Sequence, residues 1–147
     1  MMDITLNVLV KRFDERATLP SYAHTGDAGM DLSSVEKVWL WGGSQAIVRT
    51  GLALDIPFGY VGLIHPRSGM AFKHGITIVN APGTIDSGYR GEIKVCLLNT
   101  SSEHYRIDVG DRIAQIVFQA ISYGVLHEVA DLSDSVRSVN GFGSTGV

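Results

Sequence analysis

The sequence predicts an all-β fold (a sandwich, jelly roll or barrel), and three observations lead to this prediction. Short runs rich in Val, Ile, Leu and aromatic residues recur along the 147-residue chain, at the spacing typical of strands in such folds. Turns rich in Gly and Ser separate the runs, and the 17 Gly exceed the usual share of about 7%. Helical character is limited to a turn or two around residues 68–73. A chain of this length forms one domain with a hydrophobic core.

The first predicted strand lies around residues 4–10, where Ile4, Leu6, Val8 and Val10 alternate with polar or mixed positions. This alternation is the period of a half-buried strand. Further runs with strand character are residues 35–41, 45–49, 52–56, 60–65, 76–80, 91–98, 104–109, 113–120 and 125–129. Turn-forming residues separate them at 41–44, 58–59, 99–102 and 122–124, as expected of a chain that reverses direction often.

Composition and charge exclude several classes of function. The 12 Lys and Arg against 15 Asp and Glu make a net charge of -3, whereas a duplex nucleic-acid binder normally presents a basic face. No apolar run approaches the ~18 residues of a membrane helix, and the first residues lack the apolar region of a signal peptide. Cys96 is the single cysteine, which excludes an intrachain disulfide and favours a cytoplasmic location. A large subunit interface is one explanation of the low share of charged residues, 18%.

Three segments combine Gly with polar residues that suit chemistry. In residues 26–32 two carboxylates flank a glycine-bearing bend. In residues 65–71 Arg67 supplies a planar guanidinium that matches phosphate. Residues 80–92 are predicted to form a β-hairpin with Asp86 just inside its tip. Each segment alone is also typical of an ordinary turn, and the five His show no zinc-ligand spacing.

The C-terminal residues differ in composition from the rest of the chain. Residues 133–147 are rich in Ser and Gly, and such a segment buries too little apolar area to offset the entropy of ordering it. The sequence therefore predicts a single all-β domain over residues 1–132, which the resemblance described below makes a β-barrel, and a flexible C-terminal arm over residues 133–147.

Taken in order, these segments resemble the five motifs of the homotrimeric dUTPase family. The motifs stand at residues 28–32, 66–71, 80–93 and 110–116, and at Arg137 followed by residues 141–146. The resemblance runs from about residue 9 to the end of the chain. The third and fifth motifs are the specific ones, because the fourth and much of the fold are shared with dCTP deaminases.

The resemblance implies a jelly roll or distorted β-barrel that hydrolyses dUTP to dUMP and pyrophosphate with Mg²⁺. Such an enzyme keeps uracil out of DNA and supplies dUMP for dTTP synthesis. In this family three chains build three shared sites: the first, second and fourth motifs come from one subunit, the third from another and the arm from the third. The apolar runs 113–120 and 125–129 are the predicted interface surface.

The resemblance also implies a role for each site residue. Asp86 is the catalytic residue that activates the attacking water, Tyr89 lies under the deoxyribose, and Asp31 holds Mg²⁺ through water. Uracil is read by Asn80, Thr84 and Ile85 beside Lys94, and the phosphates are bound by Arg67, Ser68, Gly69 and Gln115. From the closing arm come Arg137, Phe142, Gly143, Ser144 and Thr145, with Phe142 stacked on the uracil.

Two departures and two alternatives accompany the resemblance. Ser138 and Asn140 stand where many relatives have Gly, which changes little in the interpretation. No Pro follows Pro82, whereas some relatives have a hinge Pro before the arm, so the path by which the C-terminal segment crosses between subunits stays open. One alternative is a dCTP deaminase-type relative, which shares the run 112–115 but needs neither Asp86 nor the arm. The other is a regulatory binding protein that keeps the dUTPase fold.

Overall fold

The computed structural model describes residues 5–135 and confirms the all-β class. Its elements are β1 Leu9–Arg12, β2 Gly29–Ser33, β3 Val38–Leu40, β4 Gln45–Arg49, β5 Leu52–Asp55, β6 Tyr60–His65, α1 Ser68–His74, β7 Ile76–Ile78, β8 Gly83–Ile85, β9 Lys94–Asn99, β10 Tyr105–Ile107 and β11 Arg112–Ala120. In this part of the chain no helix has the length and apolar character needed to cross a membrane.

The strands form small antiparallel sheets, of which the largest positions much of the candidate site. This sheet has the strand order β2-β11-β6-β8. Gln115 on the central strand β11 lies opposite Asp31 on β2 and opposite His65 on β6. A three-stranded sheet, β4-β9-β7, and two strand pairs, β1-β5 and β3-β10, complete the arrangement.

One hydrophobic cluster joins the sheets. It includes Leu32, Leu97, Ile107, Ile113 and Ile116, each at most 1% exposed. Along β9 the burial alternates from Lys94 onward, because successive side chains of a strand point to opposite faces. The inward face of each strand therefore contributes to a shared core.

Asn99 is a buried polar residue that the fold satisfies completely. Its Nδ2 donates to the carbonyl oxygens of Leu40 at 3.0 Å and Glu103 at 2.7 Å. Its Oδ1 accepts hydrogen bonds from the backbone N–H of Ser101 at 3.0 Å and from the Ser101 hydroxyl at 2.8 Å. The side chain thus joins the end of β9 to β3 and to the following loop.

Local sequence patterns located several elements correctly. The bounds of β4 and β6 agree with the predicted runs 45–49 and 60–65, and the predicted helical turn is α1. Other predicted runs contain shorter strands: β9 begins at Lys94 rather than at residue 91. β1 covers Leu9–Arg12, later than the predicted stretch 4–10, of which residue 4 lies outside the described residues.

One prediction was incomplete and two were wrong. Residues 26–32 were interpreted as a glycine-bearing bend; the chain does turn at Gly26, whose φ is 93°, but Gly29 already begins β2, which pairs with β11. Residues 80–92 do not form a hairpin, because β8 pairs with β6 while β9 joins a different sheet. Residues 125–129 are not a strand: Val125 is 77% and Leu126 97% exposed, and the segment has no strand partner among residues 5–135.

The predicted interface runs also need correction. The first half of run 113–120 lies in the chain's own core, since Ile113, Ala114 and Ile116 are at most 1% exposed. Only its last residues approach the surface, where Phe118 and Ala120 line an apolar groove of about 820 Å³. The second run, 125–129, is exposed as expected of an interface segment.

Candidate active site

The largest sheet brings Asp31, Arg67 and Arg112 into one cluster. Asp31 lies on β2, Arg112 begins β11, and Arg67 follows β6 directly before α1. The Nε of Arg67 lies 2.8 Å from Oδ1 of Asp31, and Nη1 of Arg112 lies 3.2 Å from Oδ2. Two guanidinium groups therefore face one carboxylate, which leaves an excess of positive charge suited to a phosphate chain.

Gln115 lies next to this cluster and packs closely against β2. Its Nε2 donates to the carbonyl oxygen of Pro66 at 2.9 Å. A Cβ added to Gly29 would lie 2.5 Å from Oε1 of Gln115, so a larger residue there would displace the end of this side chain. The first, second and fourth sequence motifs thus meet on one edge of the sheet.

The helix α1 presents Ser68 and Gly69 at its exposed start. Both residues are exposed, and a Cβ added to Gly69 would meet nothing within 4 Å, so the backbone there is open to a ligand. The far end of α1 is held by His74, whose ring centroid lies 4.6 Å from that of Tyr105. Burial of Tyr105 raises the pKa of its phenol, as expected where water is excluded.

The third motif forms a turn directly after β8. The N–H of Tyr89 donates to the carbonyl oxygen of Asp86 at 3.0 Å, which closes the turn. The Asp86 side chain is exposed, and the Tyr89 hydroxyl donates to the carbonyl oxygen of Glu92 at 3.1 Å. The ring of Tyr89 covers Gly91, because a Cβ added there would lie 2.6 Å from Cζ of the ring.

The residues after the turn are anchored to the neighbouring strands. The Glu92 carboxylate accepts from the N–H of Gly51 at 2.9 Å and from Nε of Arg49 at 3.1 Å. The hydrogen bond from Arg49 to Glu92 raises the pKa of the Arg49 guanidinium. The N–H of Ile93 donates to the carbonyl oxygen of Leu52 at 2.7 Å, and Lys94 then begins β9 with an exposed side chain.

Within one chain, two groups of predicted site residues lie toward opposite ends of β6. Ile85 lies opposite Gly62 near the start of β6, whereas Arg67 follows the end of that strand. At the rise of a strand, Asp86 and Arg67 are separated by about 20 Å. At the Arg67 end lie Asp31, Arg67, Ser68, Gly69 and Gln115, and at the other end lie Ile85, Asp86 and Tyr89. Thr84 lies between the two ends, Asn80 lies beside Gly83, which pairs with Ile64 toward the Arg67 end, and Lys94 begins β9 in another sheet.

The remaining predicted site residues cannot be placed in either group. Arg137, Phe142, Gly143, Ser144 and Thr145 lie outside the described residues. Of the predicted arm 133–147, only residues 133–135 are described, and they are exposed. The closing of the arm over the site stays a prediction.

Sequence reasoning assigned no role to four charged residues near these groups: Arg49, Arg90, Glu92 and Arg112. Arg90 and Glu92 stand inside the third motif, so charged residues next to a Gly-rich turn were the available signal. Their partners lie 35 and 43 residues away, which no local pattern reveals.

Comparison with known proteins shows similarity to dUTPases over nearly the whole chain. The model of the dUTPase family matches residues 15–146. The deoxyuridine 5'-triphosphate nucleotidohydrolase of Thermobifida fusca is 54% identical over 143 residues, which cover 97% of this chain and 80% of the relative. The protein of the same name from Corynebacterium diphtheriae is 52% identical over 141 residues, which cover 95% of this chain and 93% of the relative.

Solved structures agree with the fold. The dUTPase of Staphylococcus bacteriophage 80alpha with dUpNHpp superposes with a TM-score of 0.91 at 33% identity, over 97% of this chain and 100% of that chain. A mutant dUTPase of phage phi11, described as coordinating a structural Mg(II) ion, has a TM-score of 0.79 at 30% identity, over 85% of this chain and 97% of that chain. These likenesses confirm the predicted jelly-roll architecture.

Proposed function

Because this chain belongs to the dUTPase family, we propose that it hydrolyses dUTP to dUMP and pyrophosphate with a water activated by Asp86. The observation that carries the proposal is the Asp86–Tyr89 turn, which presents an exposed carboxylate and an aromatic ring from a segment anchored on both sides. In the cytoplasm this reaction keeps uracil out of DNA and supplies dUMP for dTTP synthesis.

Asp86 acts as the general base. Its carboxylate takes a proton from the water, and the water's oxygen attacks the α-phosphorus. The bond from the α-phosphorus to the oxygen that bridges it to the β-phosphate breaks, and pyrophosphate leaves with that oxygen. The turn limits the motion of the carboxylate because its backbone is hydrogen-bonded and β8 is paired with β6 directly before it. A positioned base of this kind is worth roughly 10²–10⁴-fold in rate.

The segment around β8 provides the selectivity for base and sugar. Backbone groups of Thr84 and Ile85, together with Asn80, read the edge of the uracil beside Lys94. Tyr89 lies flat under the deoxyribose, so that a 2′-hydroxyl has no room. The support for this arrangement is that the Nδ2 of Asn80 lies beside Gly83, at the start of the same strand.

The cationic cluster holds the phosphate chain. Arg67 and Gln115 contribute side-chain donors, and Ser68 and Gly69 contribute the exposed start of α1. Because the Asp31 carboxylate already accepts from two guanidinium groups, it restrains Arg67 in a position to meet phosphate. When phosphate displaces one of these two ion pairs, the Asp31 carboxylate is free to bind water.

The residues present fit Mg²⁺ carried by the substrate. Within residues 5–135 no group of three or more His, Cys, Asp or Glu could hold a metal ion. Mg²⁺ retains several waters and takes phosphate oxygens readily, so the single carboxylate of Asp31 is enough to hold one of those waters. When bound, the ion offsets charge on the triphosphate.

The protein assembles as a homotrimer with shared sites, in our proposal. The support is that one chain keeps Asp86 about 20 Å from Arg67, judged from the strand rise, so one chain does not complete a site. Each chain also exposes an apolar groove of about 820 Å³ and the apolar residues Val125, Leu126 and Leu132, which are 77%, 97% and 89% exposed. The arm 133–147 of a third subunit closes the site, with Phe142 on the uracil and Arg137 on the phosphates, joined by Gly143, Ser144 and Thr145.

The test is an assay of pyrophosphate release with dUTP, dTTP, UTP and dCTP. We expect dUTP to be strongly preferred, and Asp86→Asn to reduce kcat by at least about 100-fold while nucleotide binding persists, because the amide keeps the shape but loses basicity. Near-normal turnover by this variant would show that a residue other than Asp86 is the general base. Ammonia release from dCTP would instead support the deaminase alternative, and no hydrolysis at all would support the regulatory one.

A further inference from the structure

Arg90 bridges the Asp86–Tyr89 turn to a neighbouring strand. Its Nη1 donates to the carbonyl oxygen of Ser87 at 2.6 Å and to that of Tyr89 at 3.1 Å. Its Nη2 donates to Oδ1 of Asp55, at the end of β5, also at 2.6 Å. One guanidinium thus binds two backbone carbonyls of the turn and a carboxylate of the domain body, which its planar fork permits.

The bond to Ser87 acts on the part of the turn that is free to rotate. The turn closes through the N–H of Tyr89 and the carbonyl of Asp86, so its central peptide joins Ser87 to Gly88. Glycine at this third position accepts both common turn types, which differ by rotation of that peptide. Gly88 has a φ outside the left-handed region here, which selects the type that does not require it. The direction of the Ser87 carbonyl differs between the two turn types, and Arg90 binds this carbonyl in the direction seen here.

The other backbone anchors of the segment to neighbouring strands lie outside the turn. Before it, Ile85 pairs with Gly62; after it, Glu92 and Ile93 bind Gly51 and Leu52. Arg90 links the stretch between these anchors to β5. The Arg90 and Asp55 side chains are 56% and 46% exposed, and exposed ion pairs contribute little to global stability. The geometry therefore suits a role in orientation rather than in folding.

We propose that Arg90 is a positioning residue that holds the turn in the conformation from which Asp86 reaches the attacking water. The proposal rests on the function proposed above for Asp86. Arg90 acts through the backbone of Ser87 and does not itself take part in the reaction. Asp55 is the fixed end of this bridge.

The test compares Arg90→Gln with Arg106→Gln. Arg106 is a matched control, because its Nη2 pairs with Asp108 at 2.7 Å with side chains 50% and 42% exposed, on β10. For Arg90→Gln we expect kcat for dUTP to fall about 10- to 100-fold, the cost of a small misplacement of a reacting group. KM should change much less, because the phosphate-binding residues lie in a separate segment.

Amide hydrogen exchange over residues 86–91 supplies a readout that does not depend on turnover. Exchange in this segment should rise in Arg90→Gln and stay at the wild-type level in Arg106→Gln, while the melting temperature of both variants shifts by less than about 3 °C. If the wild-type protein does not hydrolyse dUTP, the proposed function fails, and the exchange measurement still decides whether Arg90 orders the turn.

A double-mutant cycle with Asp55→Ala tests the bridge itself. If Arg90 acts by tying the turn to Asp55, the variant Asp55→Ala should also lower kcat, and the double variant should lose no more than Arg90→Gln alone. Fully additive losses would show that the two residues act independently and would overturn the bridge. A kcat for Arg90→Gln within about twofold of wild type, with unchanged exchange, would overturn the positioning role.

Discussion

Tyr89 and Gly91 illustrate how a residue without a side chain determines where a neighbouring ring lies. The ring of Tyr89 rests on Gly91, and its hydroxyl binds the carbonyl of Glu92. Any side chain at position 91 would occupy the space of the ring. Gly91 is therefore required by the placement of Tyr89, and not by a left-handed backbone, since its φ lies outside that region.

Replacing Gly91 by Ala is expected to weaken the discrimination against ribonucleotides. The added Cβ would lie 2.6 Å from Cζ of Tyr89, so the ring must move away from the position proposed under the sugar. We expect the ratio of kcat/KM for dUTP over UTP to fall about 10-fold or more, within the range for loss of one specificity contact. Pyrophosphate release with both nucleotides measures the ratio.

The matched control is Gly124→Ala, because a Cβ added at Gly124 meets nothing within 4 Å. This variant should keep the wild-type ratio. Should Gly91→Ala also keep it while remaining folded, Tyr89 serves only to pack the turn.

At the scale of the elements, strands β3 and β9 are joined by a buried polar contact as well as by apolar packing. Asn99 ends β9 and binds the carbonyl of Leu40, the last residue of β3. These strands belong to different sheets, and backbone pairing alone does not connect them. A fully bonded buried amide therefore contributes to the relative placement of the sheets.

Asn99→Ala is expected to lower the apparent free energy of unfolding by about 1–3 kcal/mol, because it removes the donor to the carbonyl of the buried Leu40. Denaturant unfolding at a fixed protein concentration measures the change, since assembly makes stability depend on concentration. Asn7→Ala, at an exposed position, is the control and should stay within about 0.5 kcal/mol of wild type. A loss below about 1 kcal/mol for Asn99→Ala would mean that water replaces the amide.

For the whole molecule, the separation of the two residue groups predicts that activity belongs to the assembly. The Asp86 group and the Arg67 group occupy opposite ends of β6, and the arm residues lie beyond the described part of the chain. A closed symmetric trimer would bring one group of each subunit next to the other group of its neighbour. This organisation is testable without knowledge of the interface.

Mixed assemblies provide that test. Subunits carrying Asp86→Asn and subunits lacking residues 137–147 should each be almost inactive alone. When equal amounts of the two are refolded together, they should recover about a quarter of the wild-type rate. Asp86 and the arm of one site come from different chains of a symmetric trimer, and each is intact in half of the subunits. The recovered pyrophosphate release is measured against an equal mixture that was never refolded together.

Absence of any recovery, with mixed trimers shown by mass, would place Asp86 and the arm of one chain in the same site. A monomeric mass with full activity would contradict shared sites altogether.

What the sequence determined by itself is local. Alternation and turn-forming residues predicted the all-β class, the bounds of β4 and β6 and the position of α1, because these features depend on neighbours within a few residues. The order of the motifs identified the family resemblance and named Asp31, Arg67 and Gln115, which the sheet then placed together.

Tertiary structure alone decided the features that depend on distant partners. β2 exists because β11 pairs with it, and Gly29 belongs to this strand because it lies opposite Val117. β8 joins β6 rather than β9, and Arg90 reaches Asp55 across 35 residues. The residues 125–129 have the composition of a strand but no strand partner in the described part of the chain. Strand pairing and ion pairs form between segments that the chain topology brings together, and a local pattern contains no information on which segments those are.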